Sequence, residues 1–361
     1  MKKNSFNFLK EFTDQFHPFL LDFFAEIKEK NQKENQVSID MIRKIEEFSL
    51  RGGKRLRPAL LFLAFNLFSK SHSSDIYLAC LSVELIHSFL LMQDDVMDLS
   101  TLRRGKSTLH KIYEQECLDQ YKNKKSAAHF GHSMAILAGD LAYSLSLQAI
   151  FKTSFSPKLK LKVLKKLSQI IVDTLFGQEL DIRLELKKNV QSKDILKVYE
   201  LKTAKYTFEA PLQLGAILAG AEESNLRLLS DFALPCGIAF QISDDILGLF
   251  GKEDKTGKSN KNDIEQGKKT LLVAYALEHC KKKEKQFLNS KLGKNKLSND
   301  EIGQVRAIIT GSGSLAYCQK QLLAYLDQAQ KILDKFEQAG WNKKTIDKLL
   351  AITNLLAKRT S

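Results

Sequence analysis

The sequence predicts an all-α protein, and two observations support that fold class. Only five prolines occur in 361 residues, so long uninterrupted helices can form, and the aliphatic, lysine- and glutamate-rich composition favours them. Apolar residues recur at helical spacing from the start, at Phe8, Leu9, Phe12 and Phe16. We expect an N-terminal helical extension over residues 1–36. No linker or repeat interrupts residues 37–361, which we therefore expect to form one domain.

The charge of the chain restricts its partners. A net charge of +14 allows nucleic acid, an anionic membrane surface or small polyanions. The lysines are dispersed along predicted solvent faces of helices, and no nucleic-acid motif accompanies them, so we expect no nucleic-acid partner. The charge leaves open a weak attraction to an anionic membrane surface.

Cysteine usage and apolar run length indicate a soluble cytoplasmic protein. Five cysteines form no CxxC pair, which favours a reduced intracellular chain without a zinc site. The N-terminus lacks the apolar core of a secretory signal. Apolar runs such as Pro58–Phe68 are shorter than the roughly 18 residues that a membrane span needs, so we expect no span.

The stretch Ser82–Gly105 organises the candidate site, because a long apolar helical segment in it runs into Asp94, Asp95 and Asp98. Burying an unpaired carboxylate is costly, so a positive partner is expected. Asp94 and Asp98 are four residues apart and share one face of a helix. Two carboxylates so arranged suit a hard cation such as Mg²⁺.

A second apolar segment carries a similar pair, Asp244 and Asp245. The alternative interpretation is two amphipathic surface helices with acidic tips. It is less favoured because the segments flanking both aspartate groups are apolar on all sides.

Basic side chains that suit phosphate groups lie near these segments. A Gly-Gly pair at 52–53 breaks a helix, and Pro58 suits the first turn of the next one. Lys54, Arg55 and Arg57 cluster at that helix N-terminus, where backbone N–H groups already favour an anion.

Further cations lie in or beside the apolar segments. Arg103 and Arg104 either compensate the dipole at a helix C-terminus or hold a phosphate beside the metal. Lys202 lies in an apolar helical segment and so needs an anionic partner. The polar stretch 251–272 is either a solvated loop or a lysine-bearing flap that closes over a polyphosphate.

Six motifs occur in order, and together they carry a family resemblance. They are GGKRLRP at 52–58, ELIHSFLLMQDDVMDLSTLRRG at 84–105, GQELD at 177–181, KTAKY at 202–206, FQISDD at 240–245 and TGK…DIEQGKKT at 256–270. With them the chain resembles the trans-isoprenyl diphosphate synthases, or polyprenyl synthetases, of the farnesyl and geranylgeranyl diphosphate synthase type. The resemblance implies a homodimer in which each chain is a bundle of ten or more helices around a deep central cavity. It also implies that isopentenyl diphosphate is joined there to an allylic diphosphate with three Mg²⁺ ions.

The resemblance also implies roles for residues at matching positions. The direct metal ligands would be Asp94, Asp98 and Asp244, supported by Asp95 and Asp245. The allylic diphosphate would be held by Arg103, Lys202, Thr203, Gln241, Lys258 and Lys268, of which Arg103 and Lys202 are counted with the metal ligands as catalytic. The diphosphate of isopentenyl diphosphate would be held by Lys54, Arg57, His87 and Arg104.

The motifs show two departures and one indication of product length. Gly248 stands where many relatives carry a third aspartate, and Gln93 stands where His is frequent. Phe89 and Leu90, five and four positions before the first aspartate, are implied to close the cavity floor. One aromatic residue there, with no insertion in the motif, looks like the geranylgeranyl (C20) pattern, and farnesyl (C15) is the next candidate.

The motifs disfavour two other classes of protein. A non-catalytic subunit of a prenyl synthase pair would lack one aspartate motif or the basic residues, and both are present here. A terpene cyclase or head-to-head condensing enzyme could share the fold, but a cyclase binds one diphosphate, which the GGKRLRP segment disfavours.

Overall fold

The computed structural model describes residues 2–32, 36–69, 74–187, 189–251, 260–294 and 296–358, which fold almost entirely into helices. In order along the chain, the first helices are α1 (Lys2–Asn31), α2 (Gln36–Leu50), α3 (Leu56–Phe68), α4 (Asp75–Met97), α5 (Leu109–Tyr121), α6 (Ala127–Lys152), α7 (Pro157–Leu186) and α8 (Ser192–Val198). A π-helix (Tyr199–Glu209) follows α8. The remaining helices are α9 (Ala210–Leu218), α10 (Glu223–Phe250), α11 (Asn262–Glu265), α12 (Leu271–His279), α13 (Lys282–Lys291), α14 (Asn299–Gly311), α15 (Ser314–Gln338) and α16 (Lys343–Lys358). Within the described residues the strands are β1 (Leu102–Arg103) and β2 (Lys106–Ser107), which pair antiparallel. The all-α prediction is confirmed.

The helices form two compact units. The first comprises Met1–Phe62 and Lys70–Lys160, and the second comprises Leu63–Ser69 and Leu161–Ser361. The predicted boundary between an N-terminal extension (1–36) and a catalytic domain (37–361) stays a prediction.

In the first unit, α1 is held by one aromatic face. Phe12, Phe16, Leu20 and Phe24 recur every four residues and are all buried. The Phe12 ring lies 6.2 Å from the ring of Tyr77 on α4 and stacks on it. Burying each of these large side chains contributes about 1.5–3 kcal/mol, so α1 is integrated into the core of this unit.

Small residues let α6 pack closely on α4. Ala135, Ala138 and Ala142 are fully buried. A Cβ at Gly139 would lie 2.9 Å from Nε2 of Gln93, too close to be accommodated without a shift. The helix that carries the first aspartate motif is thereby fixed along much of its length.

In the second unit, a π-helix replaces the ordinary helix expected around Lys202. A Cβ at Gly177 on α7 would lie 2.5 Å from the backbone nitrogen of Lys202. A Cβ at Gly237 on α10 would collide with the Cα of Ala204. The π-helix backbone therefore fits between two glycines, and π-helical turns are frequent at functional sites.

The position of the arginine pair corrects a sequence-based interpretation. One interpretation of the sequence puts Arg103 and Arg104 at the C-terminus of the first aspartate helix, where they would compensate the helix dipole. Helix α4 ends at Met97, and the arginines lie beyond it in the β1–β2 hairpin. Arg104 and Gly105 both have positive φ (55° and 76°), the backbone geometry of a tight two-residue hairpin turn.

Three helices, α4, α6 and α10, are long and apolar enough to cross a membrane by length and composition alone. The expectation that no segment is long and apolar enough for a span was therefore wrong. It considered only uninterrupted apolar runs, whereas these helices contain 18-residue windows that are apolar overall and carry at most two charged residues. In α4 and α10, 61% and 56% of the apolar window is buried inside the structure, so much of this surface serves helix packing.

A buried histidine predicts how stability depends on pH. His110 on α5 is 1% exposed and its ring lies 5.3 Å from that of His132 on α6. Neither ring nitrogen of His110 has a hydrogen-bond partner in the described part of the chain. Burial lowers the pKa of His110 to about 4; His132 and Lys111 also lower it, and Glu114 opposes them.

The unfolded chain therefore binds more protons than the folded one between pH ~6.5 and ~4, so stability falls as pH falls through this range, by up to ~3 kcal/mol. We expect His110→Gln to flatten this slope in urea unfolding at a series of pH values. His129→Gln, at an exposed position of α6, is the matched control. An unchanged slope in His110→Gln would contradict the prediction.

Candidate active site

The first aspartate motif presents Asp94 and Asp98 on one face of α4. The backbone N–H of Asp98 donates to the carbonyl oxygen of Asp94 at 2.8 Å, so helical spacing persists to the end of the motif. Asp95 points elsewhere and is buried, with 1% exposed. Burial raises the pKa of Asp95 to about 6, against the lowering effect of Arg103.

Arg103 compensates this buried carboxylate. Its Nε donates to Oδ1 of Asp95 at 2.8 Å, and its Nη2 donates to Oδ2 of Asp94 at 3.2 Å. Arg103 thus lies against two carboxylates of α4, and its predicted role at a diphosphate stays a prediction.

A second group of cations surrounds His87. Nη1 of Arg57 lies 3.2 Å from Nε2 of His87. Burial and the nearby charges of Arg57 and Arg104 lower the pKa of His87 well below its usual range, so the ring is neutral at physiological pH and can accept a hydrogen bond from Arg57. The structure thus brings together three of the four residues predicted to hold isopentenyl diphosphate.

Arg104 also shapes the Gly-Gly turn that carries the fourth residue, Lys54. Its Nη1 donates to the carbonyl oxygens of Arg51 (2.5 Å) and Gly52 (2.8 Å). Gly53 has a φ of 119°, and a Cβ there would lie 3.3 Å from Nη2 of Arg104. The positive φ therefore favours glycine at this position, and a Cβ there would also crowd the guanidinium.

Arg55 does not join this cation group, although the sequence clustered it with Lys54 and Arg57. It forms a buried ion pair with Glu84 on α4, in which each side chain is 3% exposed. Its Nη2 also donates to the carbonyl oxygen of Ser49 at 2.7 Å. Sequence reasoning missed Glu84; the available signal was a glutamate inside an apolar helix.

In the second unit, the predicted residues of the π-helix and α10 form a hydrogen-bonded chain. Nζ of Lys202 lies 2.7 Å from Oδ2 of Asp181 on α7. Thr203 Oγ1 donates to Oε1 of Gln241 at 2.8 Å, and Nε2 of Gln241 donates to Oδ1 of Asp245 at 2.8 Å. The π-helix therefore presents Lys202 while Thr203 fixes the start of the second aspartate motif.

Asp245 completes this chain through a residue that sequence reasoning missed. The hydroxyl of Tyr199 donates to Oδ2 of Asp245 and accepts from the backbone N–H of Leu271 at 2.8 Å. Burial raises the pKa of Asp245 well above its usual range. Both its oxygens are occupied by protein donors, whereas the neighbouring Asp244 is exposed on another face of α10.

Two of the remaining predicted residues belong to the polar stretch after α10. The backbone N–H of Lys268 donates to the carbonyl oxygen of Asp263 at 2.9 Å, which places Lys268 just after α11. Lys258 lies outside the described residues.

The donor atoms fit a hard divalent cation. Asp94 and Asp98 in the first unit, and Asp244 in the second, offer carboxylate oxygens without sulfur or imidazole, the donor type that suits Mg²⁺ rather than Zn²⁺. Oδ2 of Asp95 is buried without a hydrogen-bond partner among the described residues. Those residues contain no group of three or more His, Cys, Asp or Glu side chains that could hold a metal ion by itself. The metal assignments therefore stay predictions.

An all-α chain with carboxylate motifs on two apolar helices, and cations positioned beside them, has the features of an enzyme that acts on metal-bound diphosphates. The sequence model of the polyprenyl synthetase family matches residues 40–309. The chain belongs to this family, so the resemblance seen in the six motifs is confirmed, and the protein is a prenyl transferase.

Individual relatives agree with this assignment. The chain is 36% identical to a geranylgeranyl diphosphate synthase of Sulfolobus acidocaldarius over 253 residues, which are 70% of this chain and 71% of the relative. It is 33% identical to a geranylfarnesyl diphosphate synthase of Aeropyrum pernix over 304 residues, 83% of this chain and 88% of the relative. A geranylgeranyl pyrophosphate synthase of Corynebacterium glutamicum, solved in complex with isoprenyl diphosphate and magnesium, superimposes with a TM-score of 0.89 at 27% identity over 98% of both chains.

The Arg55–Glu84 pair predicts a large effect on stability. Arg55→Ala leaves the Glu84 carboxylate buried without its cation, and we expect a loss of about 3–5 kcal/mol in the free energy of unfolding. Lys106→Ala is the matched control, because it breaks the pair that 62%-exposed Lys106 forms with Glu47 and should cost under about 1 kcal/mol. Urea unfolding measures both, and equal losses would show the prediction to be wrong.

Proposed function

We propose that this protein joins isopentenyl diphosphate to an allylic diphosphate and releases geranylgeranyl diphosphate as its main product. The observation that carries the proposal is the cation group of Arg57, His87 and Arg104 next to the motif of Asp94 and Asp98. It supplies a site for a second diphosphate in the same unit as the first carboxylate motif. The names of the relatives support the substrate class and the product.

The residues divide the chemistry between them. In this proposal Asp94, Asp98 and Asp244 would hold magnesium, three ions in all, which would supply positive charge to stabilise the departing diphosphate. Arg103 and Lys202 would each add positive charge toward the allylic diphosphate, and Thr203, Gln241, Lys258 and Lys268 would position it.

The reaction breaks the bond between C1 of the allylic substrate and its diphosphate oxygen. The double bond at C4 of isopentenyl diphosphate then attacks C1 and forms the new carbon–carbon bond. The departing diphosphate takes the proton that is lost, so the protein needs no side-chain base. Lys54, Arg57, His87 and Arg104 hold the second diphosphate while the water-poor cavity protects the allylic cation.

Product length is assigned to the residues below the first aspartates. The Phe89 ring on α4 lies 5.5 Å from the ring of Tyr143 on α6, and neither side chain is fully buried. Two adjoining rings form a rigid barrier to a growing chain. With Leu90, they support a C20 product, and a C15 product is the next candidate.

We also propose a cytoplasmic homodimer without a membrane span. Ile136, Leu137 and Phe151 on α6 are exposed apolar side chains that a second copy would cover. Asp94 and Asp244 on two of the apolar helices also argue against insertion of those helices into lipid. A weak attraction to an anionic membrane surface remains compatible with the net charge of +14.

Incubation with Mg²⁺, radiolabelled isopentenyl diphosphate and C5, C10 or C15 allylic diphosphates tests the proposed function. We expect labelled C20 diphosphate from each primer. No labelled product longer than the primer would overturn the proposal and favour a non-catalytic subunit or a cyclase.

Removing either metal-binding carboxylate should abolish most turnover. We expect Asp94→Ala and Asp244→Ala each to lower kcat by about a hundredfold or more, because charge on the leaving group loses its metal. Circular dichroism should show an unchanged helical fold. Asp231→Ala, at an exposed position of α10, is the matched control, and near-native rates in either active-site variant would contradict the metal assignment.

Opening the cavity floor should lengthen the product. Phe89→Ala removes one ring of the Phe89–Tyr143 pair, and we expect products of C25 and longer by chromatography, since truncating the ring leaves space for a longer chain. Phe287→Ala on α13 truncates a partly exposed ring in the other unit and should leave the products unchanged. An unchanged product distribution in Phe89→Ala would rule out this assignment.

A further inference from the structure

A cationic cavity of about 440 Å³ lies in the first unit, beside α2, the β1–β2 hairpin and α5. None of its lining residues belongs to the set predicted to hold metal or substrates. The charged side chains of its walls are four cations and one carboxylate: Arg43, Lys44, Arg51, Lys106 and Glu47. A cavity of this volume is typical of small-molecule sites, so the charges of the walls decide which class of molecule fits.

Two of the wall cations share the single carboxylate. Nε of Arg51 donates to Oε2 of Glu47 at 2.8 Å, and Nζ of Lys106 donates to Oε1 at 2.7 Å. Burial raises the pKa of Glu47, but the two cations outweigh it and lower the pKa overall, so the carboxylate is ionised at neutral pH. One negative charge therefore faces two positive charges.

Arg43 adds a cation that the described residues leave uncompensated. Its side chain is exposed and has no hydrogen bond or ion pair in the described part of the chain. Lys44 differs, because it pairs with Asp40 and, at 2.9 Å, with Glu116, two carboxylates that do not line the cavity. The excess positive charge of the walls thus comes from Arg43 and from the two cations that share Glu47.

The guanidinium of Arg51 is fixed before any ligand binds. Its side chain is 3% exposed and lies over the ring of Phe48 at 5.1 Å from the ring centroid. Its Nη1 donates to the carbonyl oxygen of Ser107 on β2 at 2.7 Å. A pre-organised cation loses little freedom when an anion binds, and a guanidinium suits phosphate oxygens because its N–H groups are paired in one plane.

The spacing of the cations favours a diphosphate over a single phosphate. The backbone N–H of Arg51 donates to the carbonyl oxygen of Glu47 at 3.1 Å, so the helical spacing of α2 extends to Arg51. Arg43 precedes it by eight residues, which is about 12 Å along a helix axis. Two linked phosphate groups span more of this distance than one phosphate does.

We propose that this cavity is a second diphosphate-binding site, separate from the residues predicted to hold metal and substrates. Arg43, Arg51 and Lys106 supply the positive charge, so binding needs no metal ion. Free diphosphate and the head group of a small organic diphosphate share this chemistry, and Ile112 offers the organic part an apolar contact. The inference goes beyond the proposed function and does not depend on it, because no lining residue takes part in the proposed reaction.

Isothermal titration calorimetry of the full chain with inorganic diphosphate tests the inference, with EDTA present to exclude metal-dependent binding. We expect Arg43→Glu to weaken one binding event by about tenfold or more, because a charge-assisted contact is replaced by repulsion. Arg43→Lys keeps the charge and should stay within about threefold of the wild type. Arg227→Glu makes the same change of charge at an exposed position of α10 and is the matched control.

Two further arms locate the site and identify the ligand. Arg57→Ala removes a cation predicted to hold isopentenyl diphosphate. Binding that survives in Arg57→Ala and is lost in Arg57→Ala/Arg43→Glu belongs to the cavity, whereas loss of all binding in Arg57→Ala alone would overturn the inference. Titration with isopentenyl diphosphate separates the sources: an effect of Arg43→Glu on inorganic diphosphate alone identifies the free ion, and an effect on both identifies the group in either form.

The remaining outcomes also decide the matter. Unchanged diphosphate affinity in Arg43→Glu, shown to be folded by circular dichroism, would contradict the inference. An equal loss in Arg227→Glu would do the same, since it would reflect net charge alone. The inference also fails if the wild type binds no diphosphate, or binds inorganic phosphate as tightly. These titrations involve no turnover, so a chain that transfers no prenyl group would reject the proposed function alone.

Discussion

The compensation of a buried carboxylate in an apolar helix is the constraint from which much of the site follows. Asp95 is 1% exposed on α4, and Arg103 donates to it through Nε at 2.8 Å. This contact holds the β1–β2 hairpin against the helix. The next residue, Arg104, then reaches the Gly-Gly turn and donates to the carbonyl oxygen of Gly52. One ion pair thus fixes the relative placement of the segments that carry both predicted diphosphate sites of this unit.

In the second motif, neutral hydrogen-bond donors compensate the buried carboxylate of Asp245. Tyr199 and Gln241 occupy the two oxygens of Asp245, and no cation takes part in either hydrogen bond. The elevated pKa of Asp245 agrees with this difference, because a neutral donor offsets burial less than a guanidinium does. In both motifs the second aspartate holds the structure together. The first aspartate lies on a different helical face from the second.

At several positions a glycine allows a neighbouring group to approach the backbone closely. Gly177 and Gly237 admit the π-helix backbone, Gly53 admits the guanidinium of Arg104, and Gly248 admits the carboxylate of Asp263. In each case the absent Cβ makes room for a neighbouring group at a functional position, and a methyl group would require that neighbour to move. Glycines within helices cost stability, which makes these positions informative.

Composition, helical periodicity and the order of six motifs were enough to determine the all-α class and the family, because those features depend on residue type and spacing along the chain. The same information located the carboxylates of Asp94 and Asp244 and the cations near them. It did not separate Arg55, which pairs with Glu84, from Arg57, which contacts His87. Contacts between residues distant in sequence decide such roles, and spacing does not encode them.

Tyr199 and Asp263 show the same limit. Tyr199 has no distinctive local pattern, and the motif that contains Asp263 does not specify its neighbour, yet the fold places one against Asp245 and the other against Gly248. At Gly248 the fold brings Oδ2 of Asp263 to within 2.7 Å of where a Cβ would lie, a contact that the sequence does not reveal. The sequence by itself determined the residue types and their spacing. Only the tertiary structure decided which residues contact each other, because burial and close approach depend on how the folded chain packs.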